Sequence, residues 1–154
     1  METFNLHGDE WDRVEEREGW RSKDAWVGHR IGGELIGGSL YELEPGDRLW
    51  PYHTHHANEE WLLVVRGRPT LRAHDGEREL HEGDVVAFPR GKEGAHQVRN
   101  DTDAPIRVLM LSTLLAPDIV EYLDTGKIGA RSVAGERILL ARPGPEADYW
   151  EGEE

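Results

Sequence analysis

Residues 51–67 read PYHTHHANEEWLLVVRG, and the fold turns on how that stretch is read. Alternate residues of a β-strand point to one face, so His53 and His55 look the same way from a single strand. Glu60 then opens an apolar run in which Leu62 and Val64 share its face, while Trp61, Leu63 and Val65 turn to the other. A second stretch, residues 83–100 (GDVVAFPRGKEGAHQVRN), carries His96 on a further short strand. If these inner faces close on one another, three imidazoles and one carboxylate meet. Such a set suits Fe, Mn, Ni, Zn or Cu better than Ca or Mg, which prefer oxygen. Burying the four together without an ion would carry a heavy desolvation cost. His53, His55, Glu60 and His96 are therefore the candidate metal ligands. Glu59 competes with Glu60 but lies on the opposite face from Leu62 and Val64. His56 falls on the wrong face by the same parity, and His7, His29, His74 and His81 sit in polar or turn settings.

Outward from this stretch, residues 26–116 divide into short strands separated by turn signals, the pattern of a sandwich or barrel. Strands are expected over 35–43, 48–55, 60–66, 70–73, 85–88, 95–100 and 106–114. Glu44-Pro45-Gly46-Asp47 and His74-Asp75-Gly76 supply turns, the second as a hairpin because Asp-Gly tolerates positive φ. No helical segment long enough for a parallel crossover separates the strands, so the sheets are expected to be antiparallel. Residues 1–25 read as an arm draped over the domain. Residues 117–154 read as an extension that packs on the barrel or completes it. Within it, Pro117 suits the first position of a short helix over Pro117–Tyr122, the turn Asp124-Thr125-Gly126 follows, and residues 131–141 offer one more strand.

The composition removes several classes. The 154 residues suggest one domain, and the net charge of −13, with acidic groups gathered toward both ends, would repel phosphate backbones and anionic lipid. Nucleic-acid and membrane partners are therefore not expected. There is no cysteine, so disulfide scaffolds, thiolate nucleophiles and iron–sulfur ligation are out. The N-terminal residues METFNLHGDEW have neither an apolar segment nor a basic lead, and a cytoplasmic location is the expectation.

Two spaced motifs resemble those of the cupins, small jelly-roll barrels. In the first, Gly46 precedes His53-x-His55, four residues intervene before Glu60, and six more before Gly67. In the second, Gly83, Pro89, Gly91, His96 and Asn100 fill the pattern. Six residues separate Gly46 from His53 where the family has five, and four separate Gly91 from His96 where it has two; both additions are expected in turns. The resemblance covers residues 35–114 and implies an all-β, antiparallel double-stranded β-helix (jelly-roll) barrel, to which the reading above adds the short C-terminal helical turn. It also implies the range of cupin activities: dioxygenases, sugar isomerases, decarboxylases and hydrolases.

A metal-dependent enzyme acting on a small organic molecule, dioxygenase-like or an isomerase, is the leading expectation. A non-catalytic ligand-binding or sensing protein with a structural metal is the alternative. Tyr41, Phe88 and Val98 are expected to wall the pocket, with Tyr41 the candidate catalytic donor because a buried phenol wants a hydrogen-bond partner. No organic cofactor is expected. The outward stripe Trp61, Leu63 and Val65 is too apolar for solvent, which suggests a twofold homodimer or cover by the N-terminal arm.

Overall fold

The computed structural model describes residues 1–132, 136–146 and 148–153. Among these described residues thirteen strands follow in order: β1 (Arg13–Glu15), β2 (Ser22–Ala25), β3 (Ile36–Leu43), β4 (Arg48–His55), β5 (Glu60–Arg66), β6 (Thr70–Ala73), β7 (Gly76–Glu79), β8 (Val85–Phe88), β9 (His96–Arg99), β10 (Ile106–Thr113), β11 (Asp118–Tyr122), β12 (Lys127–Arg131) and β13 (Arg137–Ala141). A single helical turn, α1 (Val27–Arg30), links β2 to β3, and a 3-10 turn (Lys92–Gly94) precedes β9. One sheet runs β1-β2-β3-β10-β5-β8 and the other β13-β12-β11-β4-β9-β6-β7. The pairings are antiparallel throughout the described residues. The protein is an all-β jelly roll of two facing sheets.

Parity accounts for what lies between the sheets. Leu62 and Val64 of β5, Tyr41 and Leu43 of β3, and Val108 of β10 are buried in one cluster with Leu71 and Val98 from the opposing sheet. Each fully buried leucine or valine contributes roughly 1.5–3 kcal/mol of transfer free energy. The outer face of the first sheet carries a second cluster, in which Leu40 and Leu109 pack with Phe4, Leu6 and Trp11 of the N-terminal segment. Leu63 and Val65 pack against the same cluster. These two members of the apolar stripe are thus half-buried within the chain, whereas Trp61 is 47% exposed.

The short helix expected over Pro117–Tyr122 does not form. Asp118–Tyr122 is instead strand β11, paired with β4 on one side and β12 on the other. The adjacent β-branched Ile119 and Val120 favour an extended backbone, and two sheet neighbours outweigh proline's suitability for a first helical turn. The strand expected over residues 131–141 is also divided, since Lys127–Arg131 and Arg137–Ala141 form a hairpin and residues 133–135 fall outside the described residues. Among the described residues, no helix is long and apolar enough to cross a membrane.

Candidate metal centre

β4, β5 and β9 bring the histidines and the glutamate together. His53 is paired directly with His96 across β4 and β9. Their ring centroids lie 4.8 Å apart, and those of His53 and His55 lie 5.2 Å apart. Glu60 enters from the facing sheet at the start of β5, with its Oε2 3.4 Å from His96 Nε2 and 3.6 Å from His55 Nε2. One ligand atom from each of His53, Glu60 and His96 lies within 4.8 Å of the others. Glu59 points away, accepting the Trp61 indole N–H at 2.7 Å. His56 also points away, toward Glu121.

The hydrogen bonds fix which nitrogen of each ring is free. Nδ1 of His53 lies 2.8 Å from the Pro51 carbonyl, Nδ1 of His96 2.9 Å from the Gly94 carbonyl, and Nδ1 of His55 2.5 Å from Asp118 Oδ2. Carbonyls and carboxylates only accept, so each Nδ1 carries the proton and each Nε2 presents a lone pair. Burial, reinforced by the neighbouring His96 and His55, pushes His53 down to about 3; burial brings His96 to about 4. Both rings are neutral at physiological pH. Burial also raises the Glu60 carboxyl. Burial would raise Asp118 as well, but the bonds from the His55 ring and the Ala57 N–H outweigh it and hold this carboxyl below its usual range.

Glu60 Oε2 is buried and has no hydrogen-bond partner among the described residues. An acceptor with no donor, faced by imidazole lone pairs, is repulsive unless a cation lies between them. Donor atoms about 2.1 Å from one ion sit roughly 3.0–3.4 Å apart, close to the distances from Glu60 to the two imidazoles. The residues present fit a divalent transition metal, and the acceptor on each Nδ1 is the support that metal-bound histidines require.

Glycine geometry helps to hold His96. A side chain at position 94 would run into the Pro89 carbonyl, so only glycine lets the 3-10 turn pass close enough to place its own carbonyl against His96. The loop is tied to β4 by Gly91 N–H donating to the His55 carbonyl at 2.7 Å, and by the Thr54 hydroxyl donating to the Gly91 carbonyl. This turn absorbs the lengthened Gly91–His96 spacing. The lengthened Gly46–His53 spacing is absorbed differently from the expectation of a turn. A bulge within β4, between Leu49 and His53, takes it up, with Trp50 at φ 53°. Bulges and positive φ outside glycine concentrate beside functional sites because they re-aim side chains.

The four residues lie in the wall of a cavity of about 590 Å³. Tyr41 lines it, its ring edge-on to Trp50 at 6.0 Å, and burial raises its phenol so that the hydroxyl stays protonated. Phe88 and Val98 instead belong to the core cluster, where Phe88 stacks on His96 with centroids 3.9 Å apart and so fixes the ring from behind. Sequence reasoning missed Asp118, which holds His55, because the helix assigned there hid its parity. As a strand, Asp118, Val120 and Tyr122 share one face, and all three line the cavity.

A pH dependence follows for the metal-free protein. Unfolded histidines take up protons near 6.5, whereas folded His53 and His96 resist them to about 3 and about 4. Stability is therefore fully present above 6.5 and falls as the pH drops below it, by up to about 1.4 kcal/mol per histidine per pH unit. The raised Glu60 carboxyl works in the opposite sense. Denaturant unfolding from pH 7.5 to 5 should show a His96→Gln variant losing less stability on acidification than the parent. Parallel profiles would contradict the neutral, buried assignment.

Comparison with known proteins places these features. A family model described as a cupin domain matches residues 39–112. No curated protein matches the chain at a significant level. Among solved structures, one from Acidithiobacillus ferrooxidans, provisionally described as a sugar phosphate isomerase, is 28% identical with a TM-score of 0.76, covering 84% of this chain and 81% of its own. Another, described as a sugar phosphate isomerase of the cupin superfamily from Silicibacter pomeroyi, is 27% identical with a TM-score of 0.75, covering 84% and 82%. A Thermotoga maritima protein provisionally described as an oxalate decarboxylase shares the fold at 18% identity and a TM-score of 0.54, covering 62% and 82%.

Proposed function

Residues 39–112 form a cupin domain, and on that premise we propose that the protein is a metal-dependent enzyme for a small, oxygen-rich organic molecule, with isomerisation of hydroxy-carbonyl compounds as the favoured reaction. The observation that carries this is the unpartnered Glu60 Oε2, faced by histidine Nε2 lone pairs in the wall of a cavity of about 590 Å³. Cavities of that size hold small organic ligands. His53, His55, Glu60 and His96 would hold the ion, which when bound supplies a Lewis acid for a carbonyl or hydroxyl oxygen. The protonated Tyr41 hydroxyl is placed to donate to an oxygen of the bound molecule, and Met110 and Leu115 give the cavity an apolar side that limits water. The two sugar phosphate isomerase structures support isomerisation over oxygen chemistry, since their similarity reaches beyond the matched domain.

The test is to load the protein with Mn, Fe, Ni or Zn and incubate it in D2O with a panel of aldose and ketose phosphates. Deuterium appearing at the carbon beside the carbonyl, together with interconverted product, is the expected result. Absence of exchange with oxygen consumed on catechols, β-diketones or thiols would replace isomerisation by a dioxygenase reading. Stoichiometric metal with neither reaction would favour a non-catalytic binding protein.

A further inference from the structure

We infer that the free edge of β8 is a self-association surface, on which a second copy of the chain docks antiparallel about a twofold axis at Ala87. The inference starts from a difference between the four edges of the two open sheets. The strand order leaves β1, β8, β13 and β7 unpaired on one side among the described residues. Such an edge offers a row of backbone donors and acceptors to another chain, and proteins blunt it with charges or a bulge. β1 reads RVE and β7 reads GERE, while β13 opens on Arg137 and is set off from β12 by a register shift. β8 reads VVAF, carries no charge, and keeps an unbroken register with β5. It alone is left without either device.

The charges at its two ends select a copy of the same chain as the occupant. Glu82 and Asp84 precede or begin the strand, and Arg90 and Lys92 follow it. The two carboxylates accept the backbone N–H groups of Gly67 and His81, and Arg90 and Lys92 enter no ion pair among the described residues. Antiparallel pairing of two identical strands sets the acidic end of each against the basic end of the other. With the two Ala87 residues opposed, Asp84 stands across from the partner's Arg90. A parallel arrangement would bring like charges together. The net charge of −13 on each copy repels at long range, but salt screens that repulsion beyond about 8 Å, whereas the opposed ends meet at contact.

The side chains beside the axis complete the fit. On the outer face Trp61 is paired with Ala87 and Leu63 with Val85, and both Trp61 and Val85 are exposed. Strands about 4.8 Å apart would set the backbones of the two Trp61 residues roughly 14 Å from each other across the axis, a gap that two indoles close. The small Ala87 side chains between them leave room for this. Each indole N–H already donates to Glu59 at 2.7 Å, so covering the ring leaves no donor unsatisfied. Two aromatic anchors at the centre with opposite charges at the rim is the usual anatomy of an interface.

Sedimentation equilibrium of the full chain at micromolar concentration tests the surface, and twice the mass of one chain is expected. Ala87→Lys and Ala87→Glu each oppose like charges at the axis and should each weaken dimerisation by more than about a hundredfold. An equimolar mixture of those two variants should dimerise again, because lysine then faces glutamate. Ala87 is exposed, so both variants should keep the parent's circular dichroism. Arg90→Glu should weaken the dimer about tenfold. A monomeric parent, a dimer indifferent to substitution at Ala87, or a mixture that stays monomeric would each overturn the proposal.

Discussion

Replacing His96 with alanine is expected to weaken metal binding by more than about a hundredfold. Losing a residue that merely supports a metal-bound histidine already lowers affinity roughly 10- to 100-fold, and His96 is assigned to the ion itself. Its Nε2 lies 3.4 Å from Glu60 Oε2, its Nδ1 is committed to the Gly94 carbonyl, and its ring is stacked against Phe88. The nitrogen that remains faces the cluster. A competition titration against a chelator of known affinity, run on the parent and on His96→Ala, reads the change. Stoichiometric, tightly held metal in the variant would remove His96 from the assignment.

The second large effect is on stability and lies away from the cavity. Arg107 is 2% exposed and bonds Glu42 Oε2 at 2.5 Å, the carbonyls of Leu6 and Gly8 at 3.0 and 2.8 Å, and Asp9 at 3.1 Å. Its guanidinium also lies over the Trp11 ring at 4.9 Å. One buried cation thus fastens the N-terminal segment to β10. Burial would raise the Glu42 carboxyl, but Lys23 and Arg107 outweigh it and keep the group ionised. Arg107→Met should cost about 3–5 kcal/mol, because it strips a buried charge network of its central donor and leaves two carbonyls unsatisfied. For a chain of this length that corresponds to a melting temperature lower by roughly 10 °C. Proteolysis should shift to residues 1–12 while metal affinity stays within about twofold of the parent's. A variant within about 1 kcal/mol of the parent would mean that the apolar cluster alone holds the segment.

The parts of the fold that sequence pattern made legible are those where alternation and burial coincide. In β5, Leu62 and Val64 must be buried while Trp61 is not, and a one-residue slip would reverse all three. His53 and His55 were legible for the same reason, and Glu60 because its parity matches Leu62. The bulge at Trp50 was not legible, since a residue inserted in a strand and one inserted in a turn give the same spacing between Gly46 and His53. β11 was hidden because Pro117 is compatible with either conformation and the deciding neighbours, His53–His55 and Lys127–Arg131, are distant in sequence. Asp118 was lost with it. Its hold on His55 depends on strand pairing, which no local pattern encodes.

The central claim is that His53, His55, Glu60 and His96 hold a divalent transition metal. It is tested most directly by melting the protein, purified without chelator, at pH 8 with and without prolonged chelator treatment. An ion bound only by the folded chain, at a thousand times its dissociation constant, stabilises by about 4 kcal/mol, so chelation should lower the midpoint by roughly 10 °C, and restored metal should return it. Identical curves, with no metal found in the untreated protein, would contradict the account.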